Sequence, residues 1–327
     1  MKAITYTKYG PPDVLQIGEV EKPVPKNDEI LIRVRAVEVT KTDIEMRSFR
    51  FAVKWFWLPL RIALGVTKPR RQILGGYFSG EVAALGKDVT QFTVGDEVFG
   101  SAGLRVGAYG QYVALPASYT IVGKPKNMIF ADAAAVPLGG LNALHFMRLA
   151  TIKAGDRVLI NGAGGSIGTH AIQIARSMGA EVTTVDHTVK KEALLRLGAD
   201  HFIDYTKQDF TATGQTYDVI FDMVPNSPYA ACIKTLNPNG RYLSGNPRLS
   251  VMLRSVITTR FSGKTARFAF AAETRAELDT LREMIEDGRI RSIVDKVYPM
   301  EEVVEAHHRV ETEQRLGAIV ITVGEQN

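Results

Sequence analysis

Residues 157–179 read R-V-L-I-N-G-A-G-G-S-I-G-T-H-A-I-Q-I-A-R-S-M-G, and this stretch decides the fold. Val158, Leu159 and Ile160 form a short apolar run after the turn-like Ala154-Gly155-Asp156, which suits a buried parallel strand. From Ile167 onward Ile167, Ala171, Ile174, Ala175 and Met178 recur at the spacing of one helix face. Between strand and helix the chain turns through glycines. Strand, glycine turn and helix predict a dinucleotide-binding element. Glycine lets the backbone approach a pyrophosphate, and a helix start offers unpaired N–H groups and partial positive charge.

The glycines at 162, 165 and 168 spell G-x-x-G-x-x-G. The strict G-x-G-x-x-G does not fit, because Ile167 falls where its last glycine should be. Context strengthens the reading. A second strand, 181–185, follows the helix and ends at Asp186, 18 positions past Gly168 (186 − 168). That is near the roughly 20 expected for a carboxylate that takes adenosine ribose hydroxyls. The expected cofactor cradle is therefore Gly162, Ala163, Gly164, Gly165, Ser166, Ile167 and Gly168, with Asp186 at its rim.

Composition sets the frame. The chain has 327 residues, 45% hydrophobic and 23% charged, with a net charge of +5, values of an ordinary globular protein of about two domains. Basic residues are scattered, so no nucleic-acid footprint is indicated. The single cysteine, Cys232, excludes an intramolecular disulfide and a four-cysteine zinc lobe. No charged-then-apolar leader opens the sequence and no apolar run approaches 18 residues, so stable membrane insertion is not expected and the cytoplasm is the default location.

Up to about residue 123 the pattern is mostly β. Ile30, Ile32 and Val34 alternate with Leu31, Arg33 and Arg35, the two-residue period of a half-exposed strand. From about 124 helices and strands alternate: helices at 131–136, 140–150, 190–197 and around Cys232, strands at 201–205, 217–224, 241–244 and 265–271. This predicts a parallel, doubly wound sheet, with ligand outside the carboxyl ends of its strands, near the glycine turn, Asp186, 222–224 and 244–247. Val224, Gly245 and Asn246 join the expected cofactor residues on that ground. Beyond 272 follow a helix (273–286), a strand near 293–298, a helix (301–311) and a last strand (318–323).

One passage stands apart. Residues 47–65, including F-R-F-A-V-K-W-F-W-L-P-L-R-I-A-L-G, are rich in aromatic and aliphatic side chains with interspersed Arg and Lys. They read as a lid or wall of an apolar pocket with Trp55, Phe56 and Trp57 facing a ligand. A hydrophobic plug or subunit contact, or weak attachment to a membrane surface, are the other readings.

The order of motifs resembles the medium-chain dehydrogenase/reductase superfamily, in its zinc-independent quinone-oxidoreductase-like branch. The matching pieces are G-P-P-D-V-L (10–15), T-K-T-D-I-E-M-R (40–47), I-L-G-G-Y-F-S-G-E-V (73–82), F-T-V-G-D-E-V-F-G (92–100) and G-A-Y-G-Q-Y-V (107–113). They continue with A-A-A-V-P-L-G-G-L-N-A-L (133–144), the glycine turn, L-G-A-D-H-F-I-D-Y (197–205) and L-G-A-I-V-I (316–321). The resemblance implies a GroES-like β domain over 1–123 and 273–327 and a Rossmann domain over 124–272. It also allows a homodimer.

What the resemblance implies for chemistry turns on departures. Zinc-dependent relatives carry a cysteine in the segment resembling 40–43 and a histidine–glutamate pair near 76–77. Here those places hold Thr40, Gly76 and Tyr77, and the adjacent His307 and His308 match no ligand motif, so no zinc is expected. A cofactor-borne hydride then suits acceptors already electrophilic, a quinone first and an enone or alkenal second. A non-catalytic NAD(P)H-binding redox sensor is the alternative from another class. By resemblance Thr40 and Asn142 lie near the nicotinamide. Tyr77, Lys41 and Tyr109 are candidate donors to a developing oxyanion, Tyr77 foremost.

Cofactor choice is expected to turn on Asp186. A carboxylate repels a 2′-phosphate, by about 4 kcal/mol for unit charges ~4 Å apart at an effective dielectric of ~20, before screening. NADH is therefore favoured, with NADPH not excluded because Thr188, Lys190 and Lys191 stand close by.

Overall fold

The computed structural model describes residues 1–51, 57–245, 248–269 and 271–324. The chain divides into two compact units. One comprises residues 1–138, 273–287 and 292–327, the other 139–272 and 288–291.

The first unit opens with strands β1 (Lys2–Thr5) and β2 (Gln16–Glu19), paired antiparallel. Strand β3 (Glu29–Val39) is the spine of the unit. Helices α1 (Lys41–Ser48) and α2 (Trp57–Leu64) follow, then strands β4 (Tyr77–Leu85), β5 (Glu97–Ser101), β6 (Tyr112–Pro116) and β7 (Ile121–Gly123). The alternation in β3 suggests one wet face, yet only Arg33 and Arg35 are even half-buried. Strands β4 and β6 pair with its edges, while the unit's core covers one face and the alanines around 131–135 pack on the other. Helix α3 (Phe130–Ala134) lies on this sheet, where Ser79 Oγ donates to the Phe130 carbonyl at 2.6 Å. That packing carries the first unit on to Leu138 rather than ending it near 123.

The second unit begins within α4 (Val136–Ala150) and alternates thereafter: β8 (Arg157–Asn161), α5 (Ser166–Ser177), β9 (Glu181–Asp186), α6 (Lys191–Arg196), β10 (His201–Asp204), β11 (Tyr217–Asp222), α7 (Tyr229–Lys234), β12 (Leu236–Ser244), α8 (Leu249–Phe261) and β13 (Thr265–Phe268). Its six strands are all parallel in the order β10-β9-β8-β11-β12-β13. The order reverses between β8 and β11, the switch point at which doubly wound sheets open a crevice. Helix α8 has no counterpart in the periodicity reading. It buries only Ser255, so no apolar stripe aimed at a core marks it in sequence.

The chain returns to the first unit through α9 (Arg275–Glu286), β14 (Val294–Pro299), α10 (Val303–Glu311) and β15 (Ala318–Thr322). Strand β15 pairs antiparallel with β3 and parallel with β14. The core of this unit gathers Ile30, Ile32, Phe78, Val98, Leu115, Ile319 and Ile321 from those strands. Helix α9 starts after Glu273, not at it. Glu273 has φ of 45°, and Thr274 caps the helix by accepting the Glu277 N–H at 3.2 Å.

Candidate functional site

The glycine turn of the second unit is built to meet an anion. The N–H groups of Gly162 and Ala163 donate to the Val185 carbonyl at 3.1 and 3.3 Å, which ties the turn to β9. A Cβ at Gly168 would lie 2.4 Å from the Ala163 carbonyl oxygen, so only glycine lets α5 sit this close to the turn. No side chain caps the N-terminus of α5, which leaves its first-turn amides of Ser166, Ile167 and Gly168 for a ligand. The Ser166 hydroxyl is buried without a hydrogen-bond partner, beside Gly139 of α4. Orphan donors and the positive end of a helix dipole fit a dinucleotide pyrophosphate. Asn142, half-buried, lies three residues beyond Gly139 on the same face of α4.

Asp186 is braced on several sides: its Oδ2 accepts the Gly164 N–H at 2.7 Å, its Oδ1 accepts the His187 N–H at 2.8 Å, and Lys190 Nζ pairs with Oδ1 at 3.0 Å. Both side chains are largely buried. A Cβ at Gly164 would strike the Lys190 stem at 2.3 Å, so the lysine lies across the turn. The charge that favours NADH in the sequence reading is therefore already balanced by Lys190.

At the end of β11 a second carboxylate fixes the neighbouring loop. Asp222 Oδ1 accepts from Asn161 Nδ2 and the Val224 N–H, both at 3.0 Å, and from Ser227 Oγ at 2.9 Å, while Oδ2 accepts from Tyr242 Oη at 2.7 Å. Burial raises its carboxyl and these donors oppose the rise. The result sets Val224 against the turn, 3.3 Å from where a Gly162 Cβ would stand. Gly245 closes on Met223, and Asn246 lies outside the described residues. Asn161 and Tyr242 went unread because their partner is distant in sequence.

The first unit places Tyr77, Thr40 and Lys41 in three separate constellations. Tyr77 Oη donates to Glu273 Oε1 at 2.6 Å, and Ser101 Oγ donates to the other carboxylate oxygen at 2.8 Å. Burial, and the Glu273 charge beside it, push the Tyr77 phenol well above its ordinary value. In this arrangement the phenol hydroxyl is turned to the Glu273 carboxylate. Glu273, which the sequence reading took for a helix start, is the residue that decides this.

Thr40 is the N-cap of α1. Its hydroxyl donates to Asp43 Oδ2 at 2.6 Å and accepts the Asp43 N–H at 3.1 Å, while Asp43 Oδ2 also takes the Thr40 N–H at 2.9 Å, a reciprocal capping box. The other Asp43 oxygen accepts the Gly75 N–H at 3.0 Å. Lys41 is half-exposed and pairs with Glu313 at 2.8 Å.

Tyr109, the third candidate donor, is fully buried beside His307. Fully buried Arg47 donates to His307 Nδ1 at 2.9 Å, so that nitrogen accepts and the Nε2–H donates to Tyr109 Oη at 3.0 Å. Burial, then the charge of Arg47, holds the His307 imidazole well below its usual range. Of the aromatic passage, Trp55 and Phe56 lie outside the described residues, and Trp57 is half-exposed on α2. Among the described residues no group of three His, Cys, Asp or Glu is placed to hold a metal ion. The places of the zinc-dependent relatives' ligands hold Thr40, Gly76 and Tyr77.

Residues 26–126 match the alcohol dehydrogenase GroES-like domain, and residues 197–321 match the zinc-binding dehydrogenase family. The chain is 29% identical to a quinone oxidoreductase of Sus scrofa, over 95% of this chain and 94% of that one. It is 28% identical to an Arabidopsis thaliana chloroplastic protein named NADPH-dependent alkenal/one oxidoreductase, over 98% and 79%. The solved quinone oxidoreductase of Coxiella burnetii superposes with a TM-score of 0.88 at 30% identity, over 99% of both chains. On these likenesses and the fold, this chain is an oxidoreductase of the medium-chain dehydrogenase/reductase superfamily, in its quinone-oxidoreductase-like branch.

Proposed function

We propose that the protein is a zinc-independent reductase that passes hydride from NAD(P)H to an electrophilic carbonyl compound, a quinone first and an enone or alkenal second. The observation that carries the cofactor half is the uncapped start of α5 beneath the glycine turn, with the unpartnered Ser166 hydroxyl beside it. The bound cofactor supplies the hydride. The chain holds the pyrophosphate on α5, braces the turn through Asp186 and Lys190, and fixes the adjoining loop through Asp222.

The acceptor half rests on how the first unit's described polar groups are engaged. Reducing a plain ketone needs a Lewis acid or a willing proton donor at the forming alkoxide. Tyr77 directs its proton to Glu273, Tyr109 is buried against His307, and the places of the zinc ligands hold Thr40, Gly76 and Tyr77. Quinones and enones delocalise the incoming charge themselves. The names of the pig and Arabidopsis relatives support the same two acceptor classes.

For the cofactor, the balanced Asp186–Lys190 pair supports use of NADPH alongside NADH rather than rejection of the 2′-phosphate. Steady-state oxidation of both cofactors by quinones, enones and simple ketones, before and after chelation, tests the reading. Turnover should fall from quinone to enone to ketone and survive the chelator. No turnover with any acceptor, or ketone reduction that chelation abolishes, would overturn it.

A further inference from the structure

Helix α2 wears its amphipathicity inside out. Its cation faces the protein: the Arg61 guanidinium lies 4.5 Å from the Tyr9 ring centre and 4.3 Å from that of Phe49. Tyr9 Oη donates to the carbonyls of Leu64 and Gly65 at 3.0 and 2.9 Å, which pins the C-terminal end of the helix. Part of its apolar surface faces water instead, while Leu64 packs toward the core. No residue of α2 is buried, and Trp57, Leu58, Ile62 and Val66 are 47%, 61%, 56% and 59% exposed. Leu58 and Ile62 lie one turn apart on the same helix face, and exposed Val66 follows two residues past the helix end. Neighbouring exposed apolar side chains of this kind mark a contact surface rather than a stray exposed residue.

Charge says what the contact is. Between Glu45 and Glu81 the sequence holds no acidic residue and seven basic ones, of which Arg50, Lys68, Arg70 and Arg71 are exposed. A second copy of this chain would set that basic surround against itself across a two-fold axis, since an isologous contact uses the same patch on both sides. An anionic bilayer surface complements both features. Aliphatic side chains enter the acyl boundary, a tryptophan ring suits the headgroup level, and arginine and lysine meet lipid phosphate and carboxylate. Eight residues are far too few to span a bilayer, so the helix can only lie on it.

We propose that α2 is a docking surface for anionic lipid, through exposed Trp57, Leu58, Ile62 and Val66 together with the exposed basic residues Arg50, Lys68, Arg70 and Arg71 of the same segment. Co-sedimentation of the full-length protein with phosphatidylcholine vesicles, with and without phosphatidylserine, tests this at low and physiological salt. Binding should require phosphatidylserine and weaken as salt rises. Leu58→Glu with Ile62→Glu should lower partitioning at least about tenfold, with the unfolding midpoint and turnover of a soluble quinone unchanged. Lys68→Gln with Arg70→Gln and Arg71→Gln, which leaves the apolar side chains intact, should lose the same binding should the first variant fold poorly.

Equal binding to neutral vesicles, no binding to either, or wild-type binding by both variants overturns the proposal. So does a wild-type dimer that the glutamate variant dissolves without any effect of lipid, which would assign the face to a second copy. A rise in KM for the soluble quinone without vesicles would assign α2 to the substrate pocket instead.

Discussion

On the proposed reading, cofactor choice hangs on Lys190. Its ammonium balances Asp186, and its stem lies across Gly164. Removing it leaves a carboxylate that already holds the Gly164 and His187 amides facing a 2′-phosphate uncompensated. Lys190→Ala should raise the Kd for NADPH about tenfold, about 1.4 kcal/mol, and change that for NADH little. Fluorescence titration of both cofactors measures this, and equal weakening of the two would show the lysine to be only a brace. Tyr77 invites a sharper contrast. A working general acid contributes about 10²–10⁴-fold, whereas a hydroxyl locked onto Glu273 contributes little. Tyr77→Phe should therefore leave quinone turnover within about threefold, and a hundredfold loss would restore the tyrosine as proton donor. Glu273→Gln is the complementary change. Its amide can donate to Tyr77 Oη and turn the phenol proton outward, so ketone reduction should rise in this variant and not in the double variant that also carries Tyr77→Phe.

At the scale of elements, local signals were readable and distant partners were not. The glycine turn, the strand before it and the helix after it are contiguous, so apolar spacing and glycine placement reveal them directly. The Tyr77–Glu273 bond joins residues 196 positions apart, and no periodicity records such a pairing. Helix α8 escaped for a different reason, since it faces outward and has no core stripe. In Thr40 a local motif serves the helix start as well. In T-K-T-D the threonine and the aspartate three residues on form a capping box, and their hydroxyl and carboxylate satisfy each other and the helix start. Loss of an N-cap costs about 0.5–2 kcal/mol. Thr40→Ala should sit at the upper end, because it also strips a donor from buried Asp43. Chemical denaturation is the measurement, and a change below about 0.3 kcal/mol, well under the usual cost of a lost cap, would mean that the hydroxyl is free for other work.

For the whole molecule the pH dependence of stability follows from two buried imidazoles, one in each unit. His307 accepts from Arg47 and donates to Tyr109. His170 lies on α5, where its Nδ1 meets the Ser166 carbonyl at 2.8 Å while its Nε2 is buried without a partner. Burial lowers the affinity of both rings for a proton, and for His307 the charge of Arg47 lowers it further. The sign follows from linkage. With folded-state values below the ordinary 6.5, the unfolded chain binds more protons in the window beneath 6.5, so stability is present above it and lost as pH falls. Each ring contributes a slope of up to about 1.4 kcal/mol per pH unit. Asp43 and Asp222, raised by burial, act oppositely: starting from their ordinary 3.8, each favours the folded state as pH falls through its own window. A difference measurement separates the two effects. His307→Gln keeps the carboxylates and removes one imidazole, so although less stable at neutral pH it should show a flatter fall in unfolding midpoint between about pH 7 and 5. Parallel curves for variant and wild type would mean that His307 does not remain neutral in the folded protein.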